Sequence, residues 1–278
     1  MAGELNGDAP LGAIDRLRYL AVNLGRNLSG ACPDLAVRRW RPPAEALSPD
    51  GFGTASPGRA LTEAFIRLQL PKLMPPREID VLDIGCGSGR TCSLLAQSGY
   101  RGRYTGVDQD DRFDAARWAA HGFEMRFTQG DIHTVPIDGP FDLIISISVL
   151  EHVADDIRLI PRLDSLLSPD GVQLHVVPAP AGLFVYLWHG YRQYSARALA
   201  ERFGTESTTA YALGGGASFA LHLVLITLPE ILVRTGVRQR WPRAYGRLLA
   251  LCLKLDRWIP MLPSLYAVYR HGPRAGSG

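Results

Sequence analysis

The chain has 278 residues, 46% hydrophobic and 21% charged, which is enough apolar content for a sizeable core and excludes wholesale disorder. Its four cysteines, Cys32, Cys86, Cys92 and Cys252, form no CxxC pair and have no histidine at metal-ligand spacing, so reduced thiols are expected, with neither a disulfide framework nor a metal site. Net charge is only +3, but residues 1–180 carry 18 basic against 23 acidic side chains and residues 181–278 carry 12 against 4; such a basic C-terminal third faces nucleic acid, anionic lipid, an acidic substrate or plain solvent.

Ile14, Leu17, Ala21, Leu24 and Leu28 recur at helical spacing and predict an amphipathic N-terminal helix. No basic-then-apolar signal-peptide order precedes it, which leads to the expectation of a cytoplasmic protein. Residues 41–58 hold Pro42, Pro43, Pro49, Pro57, Gly51, Gly53 and Gly58 and read as a linker. The division is thus an N-terminal helix and linker over 1–58 and a domain over 59–278. A helix is expected over Arg59–Leu73, stopped by Pro75-Pro76.

Strands then alternate with helices. The strands are Ile79–Ile84, Tyr104–Val107, Glu124–Thr128, Phe141–Ser146 and Val172–Val177. The helices are Arg90–Gln97, Arg112–His121 and Val153–Leu167, with Pro169-Asp170-Gly171 as the turn before the fifth strand. This rhythm predicts an α/β fold with a parallel sheet covered on both faces. After Pro180 a helix over Ser195–Phe203 follows, with Ser195 as N-cap, then a strand over Ser207–Leu213. Gly214-Gly215-Gly216 breaks it. Two apolar segments, Phe219–Val233 and Ala244–Ile259, precede a last strand at Leu265–Arg270.

In an open parallel sheet, ligands bind beyond the carboxyl ends of the strands. Asp83-Ile84-Gly85-Cys86-Gly87-Ser88-Gly89 occupies such an end. Glycines there admit a ligand close to the backbone, and the helix that follows offers unpaired N–H groups. A lone GxGxG also fits dinucleotide enzymes. The next strand ends at Gly106-Val107-Asp108, where a carboxylate can accept from a ribose diol. The third leads to Gln129-Gly130-Asp131-Ile132, with a carboxylate suited to an adenine amino group. The fourth runs into Ser148-Val149-Leu150-Glu151-His152-Val153.

Together these residues resemble the ordered motifs of class I S-adenosylmethionine (SAM)-dependent methyltransferases, over roughly residues 55–203. The resemblance implies a seven-stranded Rossmann-like sheet of order 3-2-1-4-5-7-6, with SAM as cofactor. It further implies that Gly85, Gly87 and Gly89 approach the methionine portion and that Asp108 holds the ribose hydroxyls, with Asp83 and Gln109 also among the cofactor-binding residues. Asp131 and Ile132 would meet the adenine, and Ser148 and Val149 would line the site near the methyl group. Arg59 resembles an arginine that pairs with the SAM carboxylate in quinone-modifying relatives, although its spacing is longer here; a helix-surface arginine is the other reading.

Transfer from a sulfonium depends mainly on positioning, but a hydroxyl acceptor must also lose a proton. His152 and His189 are the candidate bases, since histidine titrates near neutral pH. If strands six and seven are Ser207–Leu213 and Leu265–Arg270, residues 214–264 form an insertion at the ligand edge of the sheet, where a few residues would suffice. Its apolar run is too short to span a bilayer. Arg243, Arg247, Lys254 and Arg257 fall on one stripe beside leucines, between Trp241 and Trp258. That pattern fits a helix lying at an anionic membrane surface or a helical cap with solvated arginines. Either would roof the acceptor site with apolar residues and favour a small or lipid-linked acceptor, such as a cell-envelope sugar. The alternatives are a quinone or prenylated aromatic acceptor, and a SAM-binding subunit without catalysis. Nucleic acid is disfavoured, because no stacking aromatics interleave a basic groove. Oligomeric state is not legible.

Overall fold

A computed structural model describes residues 4–47, 52–118, 122–232 and 236–272. The N-terminal helix α1 (Ala13–Leu28) leads to a short strand β1 (Ala36–Arg39). Helix α2 (Pro57–Leu68) starts where Ser56 accepts the Arg59 N–H and Pro57 takes the first helical position, an arrangement that suits both residues. One turn, α3 (Leu70–Leu73), extends it. There follow β2 (Glu78–Ile84), α4 (Arg90–Gln97), β3 (Arg101–Asp108), α5 (Ala115–Trp118), β4 (Phe123–Gln129), β5 (Phe141–Ile147), α6 (Asp156–Ser165) and β6 (Leu167–Pro178). The last third holds α7 (Gly182–Val185), α8 (Ala196–Phe203), β7 (Thr208–Leu213), α9 (Gly216–His222), α10 (Leu228–Leu232), α11 (Val237–Arg240), α12 (Pro242–Leu255) and β8 (Leu265–His271).

The eight strands form one sheet of order β1-β7-β8-β6-β5-β2-β3-β4. Without β1 this is the expected 3-2-1-4-5-7-6 arrangement, with β8 antiparallel between β6 and β7. Alternate residues of the central strands enter two cores. Val81 and Leu143 join Phe65, Leu95, Leu221 and Leu249 on one face. Leu82 and Ile144 join Leu159, Leu163, Leu199 and Phe203 on the other. Apolar residues on both faces are what a parallel sheet under two helical layers requires.

Four expectations need correction. The sheet was expected to have seven strands; an eighth, β1, lies parallel to β7 at its edge, with Ala36 opposite Thr209. The expected turn at Pro169-Asp170-Gly171 is absorbed into β6, with a register irregularity against β5 between Phe141 and Leu143. The helix expected over Arg112–His121 is helical at Ala115–Trp118; Ala119–His121 lie outside the described residues, as do Pro49 and Gly51 of the linker. The helix expected from Val153 begins at Asp156, after a 3-10 turn at Leu150–His152.

The segment between β7 and β8 is helical and broken. A π-helical turn at Leu223–Thr227 joins α9 to α10; Val233, the expected end of the first apolar segment, lies outside the described residues. Asp256, just past α12, accepts the Ala217 and Ser218 N–H groups at 3.0 Å each and so caps α9. Tyr245, Leu249 and Leu253 are buried on one face of α12, in the same core cluster as Leu221 of α9 and Phe65 of α2. Its outer face leaves Leu248, Leu251 and Leu255 exposed. Among the described residues no helix is long and apolar enough to cross a membrane.

The N-terminal extension is tied down on the ligand side of the sheet. Glu4 pairs with Arg26 of α1 and with the buried Arg192, which also meets Asp156 at 2.8 Å. The Tyr19 hydroxyl donates to the His189 carbonyl at 2.7 Å.

Candidate active site

The cleft forms at the carboxyl end of the central strands. The β2–α4 turn is tight: Gly85 and Cys86 N–H groups donate to the Val107 carbonyl at 2.7 and 3.2 Å. Gly85 has φ +64°, and a Cβ there would collide with Val149 Cγ2. Both conditions admit only glycine without strain.

Two cavities meet at this turn. One, of about 350 Å³, is lined by Asp108, Gln109, Gly130, Ile132, Val149 and His152, among others. The second, of about 320 Å³, is lined by Arg59, Glu63, Arg90, Glu151, Tyr186 and His189, among others. Gly85 and Ser148 belong to both. Ser148 holds φ +54°, uncommon for a residue with a side chain, and its N–H donates to the Val176 carbonyl at 2.8 Å.

Asp108 is nearly buried at the first cavity. One carboxylate oxygen accepts the Gly87 N–H at 2.7 Å and the other accepts the Asp110 N–H at 3.0 Å. Each oxygen keeps acceptor capacity for a ribose hydroxyl. In the second cavity a single oxygen of Glu63 accepts from both Arg59 Nε and Arg90 Nε at 3.0 Å. Two guanidiniums against one carboxylate leave a positive balance, which fits the carboxylate of an amino-acid ligand.

Two expected contacts are placed elsewhere. Asp83 lines neither cavity; it is buried beneath the turn and accepts from the Tyr104 hydroxyl. Burial pushes its carboxyl up to about 7. Asp131 is exposed and accepts the His133 N–H at 2.9 Å within its own turn, so Ile132 rather than Asp131 forms the wall. Gly87 and Gly89 support the turn without lining either cavity, with φ +52° and +83°.

The two histidines come together. Their rings meet edge-on at 4.5 Å between centroids. Asp8 bridges them: Oδ2 is 2.8 Å from His152 Nδ1, and Oδ1 is 3.2 Å from His189 Nδ1. Asp8 Oδ2 also accepts the Gly190 N–H at 2.9 Å. The three ligand-type atoms lie within 4.8 Å of one another, close enough to hold a metal ion. Burial, then the neighbouring His152, lowers the pKa of His189. Its Nε2 lies 3.9 Å from Oε1 of Glu151. Glu151 is fully buried, one of its oxygens has no partner, and burial pushes its carboxyl up to about 8.

Asp8, Glu151 and Tyr186 were not singled out from the sequence. Glu151 stood inside the recognised Leu-Glu-His-Val stretch, so a signal for it existed. Asp8 had none, because its contact spans most of the chain.

The sheet order, with one cavity suited to a nucleoside and the other to an amino-acid carboxylate, fits a class I SAM-dependent methyltransferase. The chain belongs to the methyltransferase-domain family, whose model matches residues 58–207. It is 37% identical over 111 residues to trans-aconitate 2-methyltransferase of Deinococcus radiodurans, covering 40% of this chain and 42% of the relative. The corresponding enzyme of Escherichia coli O157:H7 is 33% identical over 106 residues, covering 38% and 42%. The matched stretch therefore spans about two fifths of the length of these relatives. Among solved structures, the cyclase SpnF aligns over 99% of this chain and 98% of its own, with TM-score 0.51 and 15% identity. Coclaurine N-methyltransferase, bound to N-methylheliamine and SAH, aligns over 95% and 88%, with TM-score 0.50 and 14% identity. These likenesses are of fold.

Proposed function

We propose that the chain transfers the methyl group of SAM to a hydroxyl of a small or lipid-linked acceptor, with His189 as the base that takes the hydroxyl proton. The observation that carries this reading is the position of His189. It lines the amino-acid-side cavity, and also a further cavity that runs under the insertion. Among the cavities described, His152 lines the nucleoside side alone.

SAM supplies an activated methyl carbon on a sulfonium. The chain's own work is then to hold the acceptor in line with it and to remove a proton. Asp8 beside His189 Nδ1 keeps the proton on that nitrogen and leaves Nε2 with its lone pair. The depressed pKa of His189 keeps the ring neutral, as a base requires. A positioned base contributes about 10²–10⁴-fold. Gly85, Asp108, Gln109, Ile132, Ser148 and Val149 are assigned to the cofactor, with Arg59 toward its carboxylate.

The lipid-linked form of the acceptor is supported by the outer face of the insertion. Trp241, Leu251, Trp258, Met261 and Leu262 are exposed there, beside the exposed Arg243, Arg247, Lys254 and Arg257. This combination suits the surface of an anionic bilayer. Cosedimentation with vesicles containing anionic lipid tests it, with loss of binding at high salt expected; no binding at low salt would remove the membrane contact. Labelled SAM incubated with fractionated cell extract tests the acceptor: label in a lipid or glycan hydroxyl is expected, and label confined to nitrogen or carbon sites would overturn the reading.

A further inference from the structure

Among the described residues, a few buried side-chain polar atoms lack a hydrogen-bond partner. Three of them, Trp188 Nε1, His222 Nδ1 and Arg238 Nε, belong to residues lining one cavity of about 360 Å³ under the insertion. Buried polar groups are ordinarily paired, so this concentration marks a place where a ligand completes the bonding. We propose that this cavity is a subsite for an anionic oxygen group, a carboxylate or a phosphate, carried by the methyl acceptor. The proposal rests on the reading above that the acceptor reacts beside His189.

The chemistry of the three groups sets the class of ligand. Indole Nε1 and guanidinium Nε can only donate, so the partner must offer acceptor oxygens. Arg238 brings a formal positive charge. Its other contacts are long: Nη1 to the Thr54 carbonyl at 3.3 Å and Nη2 to Glu230 at 3.5 Å. Glu230, half exposed, also lines the cavity and is the group a bound anion would displace from Arg238. His222 is only 4% exposed, and burial next to Arg238 lowers its pKa to about 4, so the ring is neutral and offers hydrogen bonding without adding charge.

Trp188 is held in place at a cost. Its φ of +53° is in the left-handed region, where residues with side chains are strained and which clusters at binding sites. The Arg16 guanidinium lies 4.9 Å from the centre of its ring and brings a second positive charge. The cavity shares Ser56, Tyr186 and His189 with the amino-acid-side cavity. An anionic group at Arg238 and a hydroxyl at His189 can therefore belong to one molecule. Val185, Leu187, Ile226 and Ile231 supply apolar wall between them. The acceptor class is an amphipathic acid bearing a hydroxyl.

Isothermal titration of the SAH-loaded protein with octanoate, octyl phosphate and octanol tests the subsite. At least one of the two anions is expected to bind tenfold or more tightly than octanol, and the tighter one identifies the carboxylate or phosphate source. Arg238→Gln should abolish that preference while leaving SAH affinity unchanged. Trp188→Phe, which keeps an aromatic ring but deletes the pyrrole ring with its N–H donor, should weaken anion binding severalfold. Equal binding of octanol and both anions, or a preference that survives Arg238→Gln, would overturn the proposal. The readout needs no methyl transfer: anion binding without hydroxyl methylation retains the subsite and removes the reading of the reaction, and the converse result removes only the subsite.

Discussion

Asp8 Oδ1 lies 3.2 Å from Nδ1 of His189, so a residue of the N-terminal extension orients an imidazole that lines the amino-acid-side cavity. The same carboxylate reaches His152 and the Gly190 amide. The extension is thus part of the site rather than an appendage to it.

Replacing His189 with Gln should lower kcat by about 10²-fold or more, the usual worth of a positioned base, with SAH affinity unchanged by calorimetry. His152→Gln should cost less, because that ring lines only the nucleoside half. Equal losses would require the two rings to act as one unit.

Asp8→Asn tests the orientation. The Asp8 charge works to raise the pKa of His189 against burial and His152. Removing it should move the acid limb of the kcat/KM profile further down in pH. It should also lower kcat about tenfold, since the favoured tautomer is lost. A purely structural role would leave the acid limb where it is.

The β2–α4 turn predicts the cofactor variants. Gly85→Ala meets both a positive φ and the Val149 side chain, and should weaken SAH binding tenfold or more. Val149→Ala in the same chain should restore only part of it, because the backbone strain remains. Asp108→Ala removes the acceptor of the Gly87 and Asp110 amides and should weaken SAH binding by a similar or larger factor.

Glu151 predicts a pH dependence of stability. Its folded pKa, about 8, is raised above the ordinary value of 4.5 by burial. The folded state therefore holds a proton that the unfolded chain releases, so the contribution favours folding at low pH and is lost as pH rises toward 8. The slope is at most about 1.4 kcal/mol per pH unit. Thermal melts from pH 5 to 9 should show Glu151→Gln losing less stability than the parent across this window.

The central sheet was legible because its strands are buried on both faces and read as apolar runs between helical periods. Strand β1 was not: all four residues of Ala36–Arg39 are exposed, and an edge strand whose partner is β7 has no pattern of its own. The cofactor turn was legible from glycine and carboxylate spacing. That Asp131 also caps its own turn, accepting the His133 N–H, was not legible, although aspartate readily does so. The π-helical turn at Leu223–Thr227 was hidden for another reason: a segment apolar on nearly every side carries no period to read. His222 and Arg238 look unremarkable along the chain, and only the fold brings them to Trp188.

The position of β8 also sets the order in which the protein can be assembled. Strand β8 lies between β6 and β7 and pairs with both, so those earlier strands have no bridge until the ribosome has made Leu265–His271. Strand β1 pairs only with β7 and joins the rest of the sheet through it. A chain growing from its N-terminus can close the β4-β3-β2-β5-β6 half early, while β1 and β7 have no strand pairing to it. A nascent chain arrested before β8 would therefore hold a formed nucleoside-side wall beside an unfinished sheet edge, the species on which a chaperone would act.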